Sequence, residues 1–163
     1  SYSVTGVQTC ALPIYNAGYE KDYMFTGSDD PSIHWIASGE KNDNKSGKDH
    51  VVYIDRDKSD KAIKTLTENL RNGLPVMLGV DWTDANRNKD EITDHWIVGV
   101  GIGKDEKGRY ISFYDILIPV PQEKATSKEN KLYYQGDGKW QGLSQGTSTM
   151  WYTLTVVRPM IKK

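Results

Sequence analysis

Three residues of this chain combine into a recognisable chemistry: a thiol, an imidazole and a carboxylate. Cys10 is the only cysteine of 163 residues and lies in "VTGVQTCALPIYNAGY" (4–19); His95 lies in "TDHWIVGVGI" and Asp115 closes "ISFYD". A thiolate is the attacking form of cysteine, and an imidazole that gains and loses protons near neutral pH can serve as its base. A carboxylate on the far ring nitrogen fixes the tautomer and stabilises the imidazolium. His95 directly follows the polar loop "TDANRNKDEITD" and directly precedes the apolar "WIVGVGI", which sets its side chain at the mouth of a sheet. In an antiparallel hairpin closed by residues 103–108, positions 95 and 115 are nearly equidistant from the turn and fall opposite one another. The same position also suits a histidine that only caps a strand and bonds the loop. The cross-strand carboxylate brings these two readings about level.

Other chemistry is thinly represented. His34 in "PSIHWIA" sits among Ile33, Trp35 and Ile36 and reads as packed, while His50 in "KDHVVYI" reads as a solvated loop-to-strand position. Three scattered histidines and one cysteine give no zinc spacing. "DRDKSD" and "DWTDANRNKD" are rich in oxygen donors but lack the glycine and terminal glutamate of a helix-loop-helix calcium loop. "GVGIG" (99–103) runs into a charged turn and another strand rather than a helix, which argues against a nucleotide loop. No metal or other cofactor is expected. With 21 Lys and Arg against 22 Asp and Glu the net charge is −1, so nothing favours nucleic acid or an anionic membrane as partner. The chain contains no apolar run of about 18 residues and no signal-peptide pattern.

The elements that must position His95 and Asp115 are legible in the middle of the chain. "SDKAIKTLTENLRNG" (59–73) predicts a helix, with Ser59 as N-cap, Ile63, Leu66 and Leu70 on one face, and Gly73 in a left-handed cap. Strands are predicted at 74–82, 94–102, 109–115 and 150–160, the last stopped by Pro159, with a shorter one at 50–55. Segment 117–149 reads as loop-rich, with "KLYY" (131–134) its only strand-like piece. Length favours one domain. Trp82, Trp96, Trp140 and Trp151 are candidate cleft walls, although core packing is the commoner role of a tryptophan.

Residues 72–115, "NGLPVMLGVDW…TDHWIVGVGIGKDEKGRYISFYD", resemble the histidine-bearing half of bacterial papain-like cysteine hydrolases, especially the double-glycine-leader peptidase-like group and related toxin-effector domains. The matched pattern is filled by Gly73, Pro75, Val76, Asp94, His95, Trp96, Gly101 and Asp115, and the tail "NKLYYQGDGKWQG…YTLTVVRP" extends the resemblance over about residues 60–160. The resemblance implies an α+β fold: an N-terminal helix or helices packed on an antiparallel sheet of about four to six strands. It implies hydrolysis of amide bonds in a peptide or a peptidoglycan stem, with His95 as base, Asp115 orienting it, and Asp94, Trp96 and Trp82 along the cleft. It also implies a bacterial protein secreted or delivered as an effector, with an immunity or delivery protein as partner.

In that family the nucleophile lies near the N-terminus at the start of a long helix, and Cys10 with Gln8 just upstream takes that place in order. Pro13 and Gly18 leave room for only about two helical turns there. Moreover, residues 4–14, "VTGVQTCALPI", are the in-frame translation of a widely used short-read sequencing-library adapter. Such a segment is set aside before reasoning about fold. The reading therefore takes 1–14 as non-native and 15–163 as one hydrolase domain, incomplete at its N-terminus. "YNAGY" is then the end of the nucleophile helix, and Cys10 is a doubtful stand-in for a lost cysteine. Two other classes stay open: a non-catalytic binding or inhibitory domain that keeps the papain-like fold, and a carbohydrate- or peptide-binding β-rich module in which His95 is structural.

Overall fold

A computed structural model describes residues 2–3, 17–19, 21–28, 52–84, 93–115, 121–146 and 150–162. In chain order these form β1 (Tyr2–Ser3), β2 (Ala17–Tyr19), β3 (Tyr23–Met24), β4 (Thr26–Ser28), β5 (Val52–Ile54), helix α1 (Arg56–Arg71), β6 (Val76–Asp84), β7 (His95–Asp105) and β8 (Gly108–Tyr114). They continue with the short helix α2 (Gln122–Ala125), β9 (Lys131–Gly136), β10 (Lys139–Leu143), β11 (Met150–Arg158) and β12 (Met160–Lys162).

Six antiparallel strands close on themselves in the order β6–β7–β8–β9–β10–β11, with β11 returning to β6. Closure leaves no free edge within the ring, which is how antiparallel sheets escape edge-to-edge association. Outside the ring, β1 extends β7, β3 pairs with β11, β2 pairs with β12 and β4 pairs with β5. The barrel is filled by alternate residues of its strands, as a small barrel requires. Val76, Leu78, Val80, Ile97, Ile111, Phe113, Leu132, Trp140, Tyr152 and Leu154 are all buried in one cluster.

Helix α1 lies across one end of this barrel. Its Ser59 hydroxyl donates to the Gly138 carbonyl in the β9–β10 turn at 2.7 Å, and the chain leaves Gly73 (φ 71°) straight into the start of β6. Ala62, Ile63, Leu66 and Leu70 recur on its inner face and join the core. The helix starts four residues earlier than its sequence pattern suggests. Asp55 is the N-cap, its Oδ1 accepting from Lys58 N at 3.1 Å, and Ser59 is a buried helical residue instead.

The structure corrects the papain-like expectation. There is no helix-on-sheet α+β arrangement: the described residues are mostly antiparallel strand, the six-stranded ring is closed, and α2 is only four residues long. Two local misreadings account for this. Residues 131–143, read largely as loop, form the β9–β10 hairpin, which joins β8 to β11 and closes the ring. Its turn is Gly136-Asp137-Gly138, all three at positive φ. Ala17–Tyr19, read as the end of a helix, is a strand on β12. The rest of the proposed helix, including Gln8, Cys10 and Pro13, lies outside the described residues, as do His34 and His50. Among the described residues no helix is long and apolar enough to cross a membrane.

Candidate active site

The barrel core turns polar at the end away from α1. Val80 faces His95 across β6 and β7, and Tyr152 and Leu154 of β11 face Trp82 and Val80 of β6. Along β7 and β8, Gly99 faces Phe113 and Val98 faces Tyr114 after a bulge at Gly99–Gly101. Extending that register sets Asp115 beside Ile97, two residues from His95 on the same face. The pair therefore meets on the diagonal rather than directly opposite, a reach open to long side chains.

His95 Nε2 lies 2.9 Å from Asp115 Oδ1. The Asp115 side chain is fully buried, whereas that of His95 keeps 14% of its surface exposed, so the carboxylate is internal and the ring reaches the mouth. Asp115 Oδ2 accepts from Ser144 Oγ at 2.8 Å and from Tyr152 OH at 2.7 Å, and its backbone N–H donates to Ala125 O at 2.9 Å. The Tyr152 ring packs 5.4 Å from the imidazole and 6.0 Å from Phe113.

Burial pushes the Asp115 carboxyl up, but the hydrogen bonds from His95, Tyr152 and Ser144 outweigh it and hold the group below the ordinary carboxylate range. Proton directions follow from this charge. Ser144 Oγ accepts from Gly146 N at 3.2 Å, which directs its own proton to Asp115. An ionised carboxylate only accepts, so His95 must donate from Nε2, and in the neutral ring Nδ1 is left with the lone pair. The arrangement can take a proton at Nδ1 and stabilise the resulting imidazolium through a buried anion.

The other residues singled out in the sequence are dispersed. Trp82 is 40% exposed and neighbours Tyr152, which puts it on the rim beside His95. Asp94 is half-buried just before His95, its N–H donating to Val80 O at 2.9 Å. Trp96 projects from the opposite face of β7, where the Arg158 guanidinium lies 4.4 Å over its ring, so it does not line the mouth with His95. Arg158 in turn grips Asp22 with two bonds of 2.8 and 2.9 Å, fastening the chain beside β3 to β11. Trp140 is core and Trp151 is exposed. Among the described residues no three His, Cys, Asp or Glu side chains converge to hold a metal ion.

Sequence reasoning missed Ser144 and Tyr152. A signal existed for Tyr152: in "MWYTLTVVRP" it alternates with Leu154, so it is an inward position carrying a hydroxyl that needs a partner. Ser144 carries no such pattern. No protein-family model, no curated protein and no solved structure matches the chain.

Proposed function

We propose that this barrel carries the base half of a thiol-dependent amide hydrolase, acting on a peptide or a peptidoglycan stem. The observation that carries the reading is the 2.9 Å pair between a mouth-facing imidazole and a fully buried, hydroxyl-clamped carboxylate. A histidine needed only for packing has no use for a buried anion that costs several kcal/mol to desolvate. In the reaction, His95 Nδ1 takes the thiol proton, the thiolate attacks the amide carbonyl, and the C–N bond breaks as the imidazolium protonates the leaving amine. Water then gives a proton to Nδ1 and attacks the thioester, releasing the acid and restoring the thiol. Trp82 offers an apolar wall beside the reacting centre and Asp94 a polar edge.

Cys10 is the only thiol in the sequence, and it falls within the adapter-like residues 4–14. The test therefore uses a chain whose codons for residues 1–20 have been re-read from genomic DNA. It should hydrolyse peptide or peptidoglycan-stem amides in a thiol-dependent way and lose that activity in His95→Ala.

A second reading, a β-rich binding module with a structural His95, is favoured by an open groove of about 470 Å³ on the outer face of β8. Tyr110, Ser112, Tyr114, Thr126 and Ser127 line it together with the charged Lys128, Glu129 and Lys131, a mixture of rings, hydroxyls and charges suited to a carbohydrate or an extended peptide. This reading expects ligand binding that ignores His95→Ala and no hydrolysis.

A further inference from the structure

Besides His95 and Tyr152 on the barrel strands, Asp115 is held by two further segments. Its backbone N–H reaches Ala125 O at the end of α2, and its carboxylate reaches Ser144 in the turn after β10. One buried side chain ties these segments together. Asn130 is fully buried; its Nδ2 donates to Lys124 O at 3.0 Å and Ala125 O at 3.1 Å, and its Oδ1 accepts from Gln145 N at 2.7 Å. Its backbone carbonyl also accepts from Phe113 N at 3.1 Å, two residues before Asp115.

We propose that Asn130 is a positioning residue for the His95–Asp115 pair, setting both the backbone and the carboxylate of Asp115 without touching either member of the pair through its own side chain. The amide uses both N–H groups and its carbonyl oxygen, so it measures the distance between the α2 end and the 144–146 turn from both sides. No smaller or charged residue reproduces this: alanine removes all three bonds that join the two segments, and aspartate aims a carboxylate at two carbonyls. A shift in either segment moves Ser144 or Asp115, and thereby the plane and tautomer of His95. The proposal rests on the hydrolase reading only for its rate readout.

The experiment compares Asn130→Ala with Asn69→Ala. Asn69 is a staple of similar chemistry at the far end of the molecule, accepting from Met160 N at 3.0 Å. Long-range ¹H–¹⁵N NMR of the His95 ring reads the pair directly. The unmodified chain should show one tautomer, protonated at Nε2. Asn130→Ala should show mixed tautomers in an otherwise folded barrel and lose about 10²-fold in kcat with little change in KM. Asn69→Ala should destabilise the fold while leaving the ring signal unchanged. Should Asn130→Ala not fold, Asn130→Ser, which keeps one donor, serves in its place and is read the same way. A folded Asn130 variant whose His95 ring signal matches the unmodified chain overturns the proposal, whatever its activity. A perturbed ring signal in a chain that hydrolyses nothing supports the positioning role and counts against the hydrolase reading alone.

Discussion

At the residue scale, the decisive contacts are the hydroxyls of Ser144 and Tyr152 on one oxygen of Asp115. Removing the Tyr152 donor leaves a buried carboxylate short of a partner. Tyr152→Phe should therefore lower unfolding free energy by about 1–3 kcal/mol near neutral pH, measured by urea titration. The pH dependence has a definite sign. The folded carboxyl titrates below its unfolded value of about 3.9, so its stabilisation is fully present above that pH and disappears as pH falls through the lower folded value. In Tyr152→Phe the folded carboxyl titrates higher, so its stability difference from the unmodified chain should shrink on acidification. His95 and Asp115 were readable in sequence because polar residues stand at the ends of apolar strands. Ser144 and Asn130 were not, because their partners are backbone groups, which carry no sequence signature, or in Ser144's case a carboxylate 29 positions away.

At the element scale, the β9–β10 hairpin closes the ring, although its residues look irregular in sequence. Its glycines prompt that reading, although "GDG" between "KLYYQ" and "KWQGL" is also a hairpin turn between two alternating stretches. Gly142 is where the hairpin is tightest: a Cβ there would press into the Lys131 carbonyl oxygen and lie 2.9 Å from the Lys131 carbonyl carbon and 3.2 Å from Leu132 Cα. Backbone cannot swing aside as a side chain can. Gly142→Ala should cost about 1–3 kcal/mol and also disturb Ser144 two residues on, visible as reduced hydrolysis under conditions where the variant remains folded. The α1 boundary shows a milder error of the same kind. Ser59 matches an N-cap by type, but Asp55 occupies the cap, and Asp55→Ala should lower stability by about 1 kcal/mol in thermal melts.

At the scale of the whole molecule, the barrel sets its helix-packed apolar end and its His95–Asp115 pair apart along its axis. Helix α1 and its apolar face pack at one end, and the imidazole opens at the other. Fully buried Leu66 contributes to the core from the helix side, so Leu66→Ala should cost about 2–5 kcal/mol by denaturant titration yet retain His95-dependent chemistry where it remains folded. The papain-like architecture failed because one helix followed by three strands in the middle of a chain is compatible with several closures. The ring is fixed by the pairing of β6 with the distant β11 and by β8 with β9 across the irregular segment between them. The local order of residues 60–115 was nonetheless legible, since one helix, three strands and the turn between the last two each carry their own signal. The most direct test of the account is amide hydrolysis, with and without thiol reductant, by the chain carrying its genomic N-terminal codons and by its His95→Ala variant. Thiol-dependent turnover that falls by about 10³-fold or more on substitution is the predicted result; equal turnover in the two proteins would contradict it.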